Sequence, residues 1–120
     1  MRNIGKYEVF KLADEMVLRV YLLTGQFPRS EQFGLTSQMR RAAYSIPMNL
    51  VEGAARSSQR DFARFVNIAI GSCEEVRYQL SLAGRLGYAK PGEVAGLEAK
   101  YEEVKRMLTR LLQRVTAADE

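Results

Sequence analysis

The feature that most constrains this chain is a repeated spacing: apolar residues return every three or four positions along four separate stretches. This spacing keeps one side chain per turn on a single side of an α-helix, the side that packs into a bundle core. The four stripes consist of Phe10, Ala13, Val17, Val20 and Thr24; Leu35, Met39, Ala42, Ile46, Asn49 and Gly53; Phe62, Phe65, Ala69, Cys73, Val76, Leu80 and Ala83; and Leu97, Tyr101, Val104, Leu108, Leu111 and Val115. Because only short segments separate the stretches, consecutive helices should be antiparallel neighbours. The sequence therefore predicts an all-α, antiparallel up-down-up-down four-helix bundle.

Caps and helix breakers set the expected helix boundaries. The predicted helices are residues 7–24, a second helix from Ser30 or Thr36 to Gly53, residues 59–86 with Ser57 or Ser58 as the N-cap, and residues 91–117. Pro47 lies inside the second helix, where its missing N–H should kink or locally open the helix. With 120 residues and no linker or low-complexity tract, the chain is expected to form one domain over residues 1–120.

The absence of histidine and the single cysteine, Cys73, narrow the chemistry that this chain can perform. Neither a histidine-activated nucleophile nor a zinc site of cysteine and histidine ligands can be built. A site of carboxylates alone would need acids on inward helix positions, and the four stripes contain none. We therefore predict a protein that is not an enzyme and that uses no metal or cofactor.

The amino-terminal residues lack the apolar stretch of a signal peptide. No stretch approaches the roughly 18 apolar residues that cross a bilayer. The expectation from these two features is a cytoplasmic protein without membrane contact.

Positive charge is the first indication of a partner. The net charge is +4, and an up-and-down bundle would bring most of the basic residues to one end. That end would hold Arg2, Lys6, Lys11, Arg56, Arg60, Arg64, Lys105, Arg106, Arg110 and Arg114, with Glu8, Glu52, Asp61, Asp119 and Glu120. Bases near a helix carboxyl end can simply complement the helix dipole, whereas Arg56, Arg60 and Arg64 surround a helix start, where the dipole disfavours them. These three are the main candidates for binding nucleic-acid phosphates, with Arg40 and Arg41 as further candidates or as a solvated surface pair.

The second helix carries more apolar surface than one core requires. Besides its inward stripe it has Tyr44, Met48, Val51 and Ala55, at steps of four, three and four. A helix that is apolar on two sides is normally buried on two sides. These residues are predicted to form a subunit interface, and the alternative is that they widen the contact with a flanking helix.

Asn49 is the one strongly polar residue on an inward stripe. A buried asparagine usually fixes helix register at some cost in stability. Here it could bond the carbonyl that Pro47 leaves unpaired, or pair with Ser45 or Ser72. Contact with a ligand is the alternative.

Residues 33–53 (FGLTSQMRRAAYSIPMNLVEG) resemble the signature of bacterial four-helix-bundle proteins encoded within intervening sequences of 23S rRNA genes. Residues 27–28, 61–62, 69–72 and 86–88 fit the same pattern, so the resemblance spans nearly the whole chain. Val51 departs from it, since a small alanine is expected at that position. The polar positions of the signature are Arg40, Arg41, Ser45, Asn49, Glu52 and Arg56, and among them Ser45, Asn49 and Glu52 are expected to be buried.

The resemblance implies a homopentamer with no established enzyme activity. The family is similar in fold to the accessory protein of diversity-generating retroelements, a basic pentamer that binds a reverse transcriptase and nucleic acid, and that role transfers only as an analogy. Two hypotheses follow: a basic oligomeric module that binds RNA or DNA, and a protein-interaction scaffold or accessory subunit for a reverse transcriptase or another enzyme.

Overall fold

Four long α-helices account for most of the computed structural model, which describes residues 2–118. The helices are α1 (Glu8–Thr24), α2 (Leu35–Ala54), α3 (Gln59–Arg85) and α4 (Pro91–Ala118). Single turns of 3-10 helix, Ile4–Lys6 and Arg29–Glu31, precede α1 and α2, and the described part of the chain contains no strand. The prediction of an all-α, four-helix protein is confirmed. Asp119 and Glu120, which were predicted to lie at the basic end, are outside the described residues.

The helices form one bundle. Its extents are 47 × 24 × 20 Å, and a 28-residue helix such as α4 is about 42 Å long. The long axis is therefore close to the length of one helix. α1 packs on α2, α2 on α3 and α3 on α4, and a smaller contact between α1 and α4 closes the bundle.

The inward stripes of α3 and α4 are buried throughout, as predicted. In α2 all predicted inward positions are buried except Leu35, which is half-buried. The prediction for α1 was partly wrong, because Phe10 and Val17 are only half-buried while Val9 and Met16 enter the core. Residues 9, 13, 16 and 20 also follow the three-four spacing, so the pattern alone does not separate the two faces. Contact with both α2 and α4 selects the face that contains Val9 and Met16.

The start of α2 differs from the prediction, because neither Ser30 nor Thr36 is its N-cap. Gly34 occupies that position, and the Leu35 N–H donates to Oε1 of Glu31 at 3.0 Å. The other oxygen, Oε2, accepts a hydrogen bond of 2.9 Å from the Tyr88 hydroxyl, which follows α3. A carboxylate from the preceding turn has replaced the expected hydroxyl because it can serve α2 and Tyr88 together.

Pro47 does not interrupt α2, which continues to Ala54. A short polar network of Ser45, Asn49 and Ser72 links α2 to α3. Asn49 Nδ2 donates to the Ser45 carbonyl at 2.7 Å and to Ser45 Oγ at 2.9 Å. Ser45 Oγ in turn lies 2.9 Å from Ser72 Oγ on α3. Because a buried amide without partners would cost free energy, this network favours one register between α2 and α3.

Raising the pH above about 9 should destabilise the fold through Cys73. The thiol donates to the Tyr101 carbonyl at 3.2 Å, and burial, together with the charge of Glu74, raises its pKa from 9.0 to about 12. The unfolded thiol therefore loses its proton first, and stability that is complete below pH 9 is lost as the pH rises towards 12. This group should lower the free energy of unfolding by at most about 1.4 kcal/mol per pH unit.

Urea unfolding of the wild type and Cys73→Ala across this pH range measures the effect. The variant has no thiol to ionise, so its stability should decline less steeply, whatever its stability at neutral pH. Parallel declines in the two proteins would show that ionisation of Cys73 is not coupled to unfolding.

Candidate nucleic-acid interface

The start of α3 carries three of the predicted phosphate-binding arginines. Ser58 is the N-cap, as predicted, and its Oγ accepts a hydrogen bond from the Asp61 N–H at 3.0 Å. Arg56, Arg60 and Arg64 are exposed around this helix start. The first backbone N–H groups of a helix carry a partial positive charge and attract anions, so guanidinium and backbone charges add at this point. We refer to Arg56, Arg60 and Arg64 as the arginine patch.

Two arginines of the patch lie over the same aromatic ring. The Cζ atoms of Arg56 and Arg64 lie 4.8 and 4.6 Å from the centroid of the Phe65 ring. Phe65 is itself buried in the core. Contact with a ring holds a guanidinium plane in place while its N–H edges stay available to an oxyanion. The ring therefore limits the motion of two side chains that would otherwise sample many rotamers.

Few intramolecular anions compete for the arginine patch. The nearest is Asp61, which lies 4.0 Å from Arg64 Nε, at the limit of an ion pair. Glu52 and Arg56 are one helical turn apart in sequence but form no ion pair among residues 2–118; Arg56 contacts Phe65 instead. A shallow depression of about 610 Å³ adjoins the patch; it is lined by Arg2, Ala55, Arg56, Ser57 and Gln59.

Arg2 has a structural role that the sequence did not reveal. Its guanidinium donates to the carbonyls of Arg56 at 2.7 Å and Ala54 at 3.4 Å, and to Oε1 of Gln59. It also lies 4.5 Å from the centroid of the Phe62 ring. Because the last carbonyls of a helix lack partners within it, Arg2 caps the end of α2 and joins the amino terminus to the α2–α3 connection. Because Arg2 is distant in sequence from the α2–α3 connection, no local pattern predicted this contact.

Arg40 and Arg41 do not extend the arginine patch in the same way. Arg40 Nε donates to Thr24 Oγ1 at 2.8 Å, and its Cζ lies 4.5 Å from the Tyr21 ring centroid, so this side chain joins α2 to α1. Arg41 is exposed on the outer side of α2. Only Arg41 of this pair has a guanidinium without a described intramolecular partner.

The second stripe of α2 is exposed in the single chain. Tyr44, Met48 and Val51 have exposed fractions of 37, 52 and 50%, and Ala55 is exposed as well. Neighbouring α1 adds the exposed residues Leu18, Tyr21 and Leu22, which were not predicted to belong to this surface. We call these seven residues the apolar face. A flanking helix of the same chain therefore does not cover the second stripe.

The three polar positions of the signature that were expected to be buried differ in their environment. Asn49 is buried and Ser45 is half-buried within the network described above, whereas Glu52 is exposed. The expectation of a buried Glu52 is wrong, because this residue lies on the outer half of α2, about 100° around the helix from the buried Gly53.

The acidic side chains are dispersed or paired with bases. Glu74 binds Arg77 at 2.8 Å and Lys105 at 3.4 Å. Burial by itself raises the pKa of Glu74, but the hydrogen bonds and charges of Arg77 and Lys105 outweigh it and lower the pKa. No group of three or more potential metal ligands occurs among residues 2–118. None of the helices in the described part of the chain is long and apolar enough to cross a membrane.

The fold and the site define an all-α bundle with a patch of arginines at a helix start and an exposed apolar face. The profile of the 23S rRNA-intervening sequence protein family matches residues 5–110. The chain therefore belongs to this family, and the resemblance of residues 33–53 is confirmed.

One solved structure similar to this chain is a protein of unknown function from the S23 ribosomal protein family of Bacteroides thetaiotaomicron. The TM-score is 0.80 and the identity 24%, over 88% of this chain and 95% of that chain. At this identity the likeness bears on the fold alone. No curated protein matches the chain.

Proposed function

We propose that this protein is a non-catalytic, homo-oligomeric module of the cytoplasm that binds RNA through the arginine patch. The observation that carries the proposal is the grouping of three exposed guanidinium groups, two of them held over Phe65, around the amino end of α3. The arrangement suits phosphate groups, which accept hydrogen bonds from guanidinium edges and from helix N-termini.

The proposed subunit is an antiparallel up-down-up-down bundle, and the proposed assembly is the homopentamer that the family resemblance implies. Contacts at both ends of the bundle support the proposed antiparallel directions of consecutive helices. Arg2, before α1, reaches the end of α2 and the start of α3, while Tyr88, after α3, reaches Glu31, before α2. The apolar face supports an assembly, because exposed apolar patches on small proteins usually contact another surface. A ring would repeat the arginine patch and so multiply its contacts with one RNA.

Recognition should depend on the RNA backbone more than on the bases. The aromatic ring at the patch, Phe65, is buried beneath the guanidinium groups and cannot stack on a base. Contacts with phosphate carry little sequence information and depend strongly on salt.

Charge reversal tests the proposal. The triple variant Arg56→Glu, Arg60→Glu, Arg64→Glu should bind a labelled single-stranded RNA about 10- to 100-fold more weakly at low salt, and the slope of log affinity against log salt should fall by about 2. Fluorescence anisotropy over a salt series measures both quantities. Circular dichroism and native mass spectrometry check that fold and assembly are retained.

The matched control reverses three exposed arginines elsewhere: Arg19→Glu, Arg29→Glu, Arg85→Glu. Both triple variants have the same net charge, so a local site predicts a much smaller loss in the control. Equal losses in the two variants would mean that net charge alone attracts RNA. Binding that does not change with salt would exclude the arginine patch as a phosphate site.

The second candidate function is a protein-interaction scaffold or accessory subunit, for instance for a reverse transcriptase or for another enzyme. The observation that favours it is the extent of the apolar face, which spans both α1 and α2.

A further inference from the structure

A groove separate from the arginine patch runs between the start of α1 and the last turns of α4. Its volume is about 1090 Å³. α1 and α4 have the smallest contact of the four adjacent helix pairs, and the groove occupies the place where these helices leave space. Apolar side chains from three helices line its lower surface. Met107 is half-buried, whereas Val9, Phe62, Leu111 and Val115 are at most 4% exposed.

The rim of the groove is basic. Lys6, Arg110 and Arg114 line the rim and are exposed, and they form no ion pair with an acid of residues 2–118. The one acid in the lining, Glu8, is paired with Lys11 at 3.3 Å. Arg110 and Arg114 near the end of α4 also complement its dipole, but Lys6 precedes the start of α1, where a cation gains nothing from the helix. An anionic ligand would therefore meet three basic side chains that no acid of residues 2–118 pairs.

We propose that this groove binds an acidic amphipathic helix of a partner protein. Residues 107–117 of α4 extend over about 15 Å, close to three turns of a bound helix. An amphipathic helix places its apolar residues on the lower surface of a groove and its charged residues at the rim. Binding of nucleic acid through phosphates would use the rim alone and has no need of the apolar side chains.

The inference does not depend on the proposed RNA function. Arg2 and Gln59 line both the groove and the depression beside the arginine patch, whereas the three rim residues lie outside the patch. A chain with both sites could hold RNA and an acidic partner at the same time.

The test uses a designed, fluorescently labelled helical peptide with leucines at three-four spacing and glutamates at the other positions. We expect saturable binding to the wild type and at least a tenfold loss in the triple variant Lys6→Glu, Arg110→Glu, Arg114→Glu. The Arg19→Glu, Arg29→Glu, Arg85→Glu protein has the same net charge and should bind like the wild type. Met107→Gln, which makes the half-buried lower surface more polar at constant length, should weaken peptide binding severalfold and leave RNA binding unchanged.

A peptide of the same composition with its leucines dispersed around the helix is the matched ligand control, and it should bind at least tenfold more weakly. Equal binding of both peptides, or no binding of either, would overturn the proposal. Displacement of the peptide by RNA through the same three rim residues would also overturn it and assign the groove to a polyanion. The RNA proposal is tested separately, with variants of the arginine patch. These variants should retain peptide binding, so the two proposals can fail independently.

Discussion

Replacing Met48 by glutamate is expected to dissociate the proposed assembly into single chains. Met48 lies near the centre of the α2 part of the apolar face and is 52% exposed in the single chain. In a subunit interface the new carboxylate would be buried without a partner, and a group of this kind costs several kcal/mol. A closed ring contains the same interface at each junction, so the penalty is repeated around the ring. Native mass spectrometry should therefore detect single chains of 13.6 kDa.

The control for this variant is Leu86→Glu. Leu86 follows α3, has an exposed fraction of 49% and lies outside the apolar face, so its replacement should preserve the assembly. The single-chain Met48→Glu protein should also bind RNA more weakly than the wild type, because several arginine patches no longer act on one RNA. A wild type that is already a single chain would contradict the proposed interface, and dissociation of both variants would mean that the effect is not local.

Replacing Gly53 by alanine should destabilise the fold. A Cβ atom at this position would lie 2.7 Å from the Phe65 Cβ and 3.0 Å from the Phe62 Cδ1. The Phe65 Cβ is attached directly to the backbone, so it can move only if α2 and α3 separate. Overpacking of this kind costs about 1–3 kcal/mol, which should exceed the gain of up to about 1 kcal/mol in helix propensity. Urea unfolding measures the change.

A second glycine provides the matched control. An added Cβ at Gly96 in α4 meets no atom within 4 Å, so Gly96→Ala should stabilise the fold by up to about 1 kcal/mol. Since Phe65 also supports Arg56 and Arg64, Gly53→Ala should reduce RNA affinity where Gly96→Ala does not. If both variants gain stability, α2 and α3 are not in the close contact described here.

The buried face of a helix was predicted correctly from the sequence where only one side of that helix is apolar. The stripes of α3 and α4 were correct at every position, because a wide apolar stripe between polar residues permits one orientation. In α1, by contrast, two offset stripes fit the same spacing, and packing against α2 and α4 selected Val9 and Met16. The role of Glu31 at the start of α2 was not predicted, since one of its two contacts is with Tyr88, which is distant in sequence.

The residues of the candidate sites were likewise only partly predictable from the sequence. Arg56, Arg60 and Arg64 could be chosen from sequence because cations at a helix start oppose the dipole and so need another explanation. Arg40 and Arg2 carry the same charge, yet both are engaged within the chain. Nothing in local sequence distinguishes an arginine that contacts a carbonyl from one that faces water.

By itself, therefore, the sequence determined the number of helices, most of their inward residues, the family and the basic character of the helix start, because each depends on neighbours within a few turns of chain. The tertiary structure alone decided which arginines are engaged, that Glu52 is exposed, that the second stripe of α2 continues onto α1, and that a basic groove opens between α1 and α4. These features depend on residues from different helices, and their distances are set only when the helices pack.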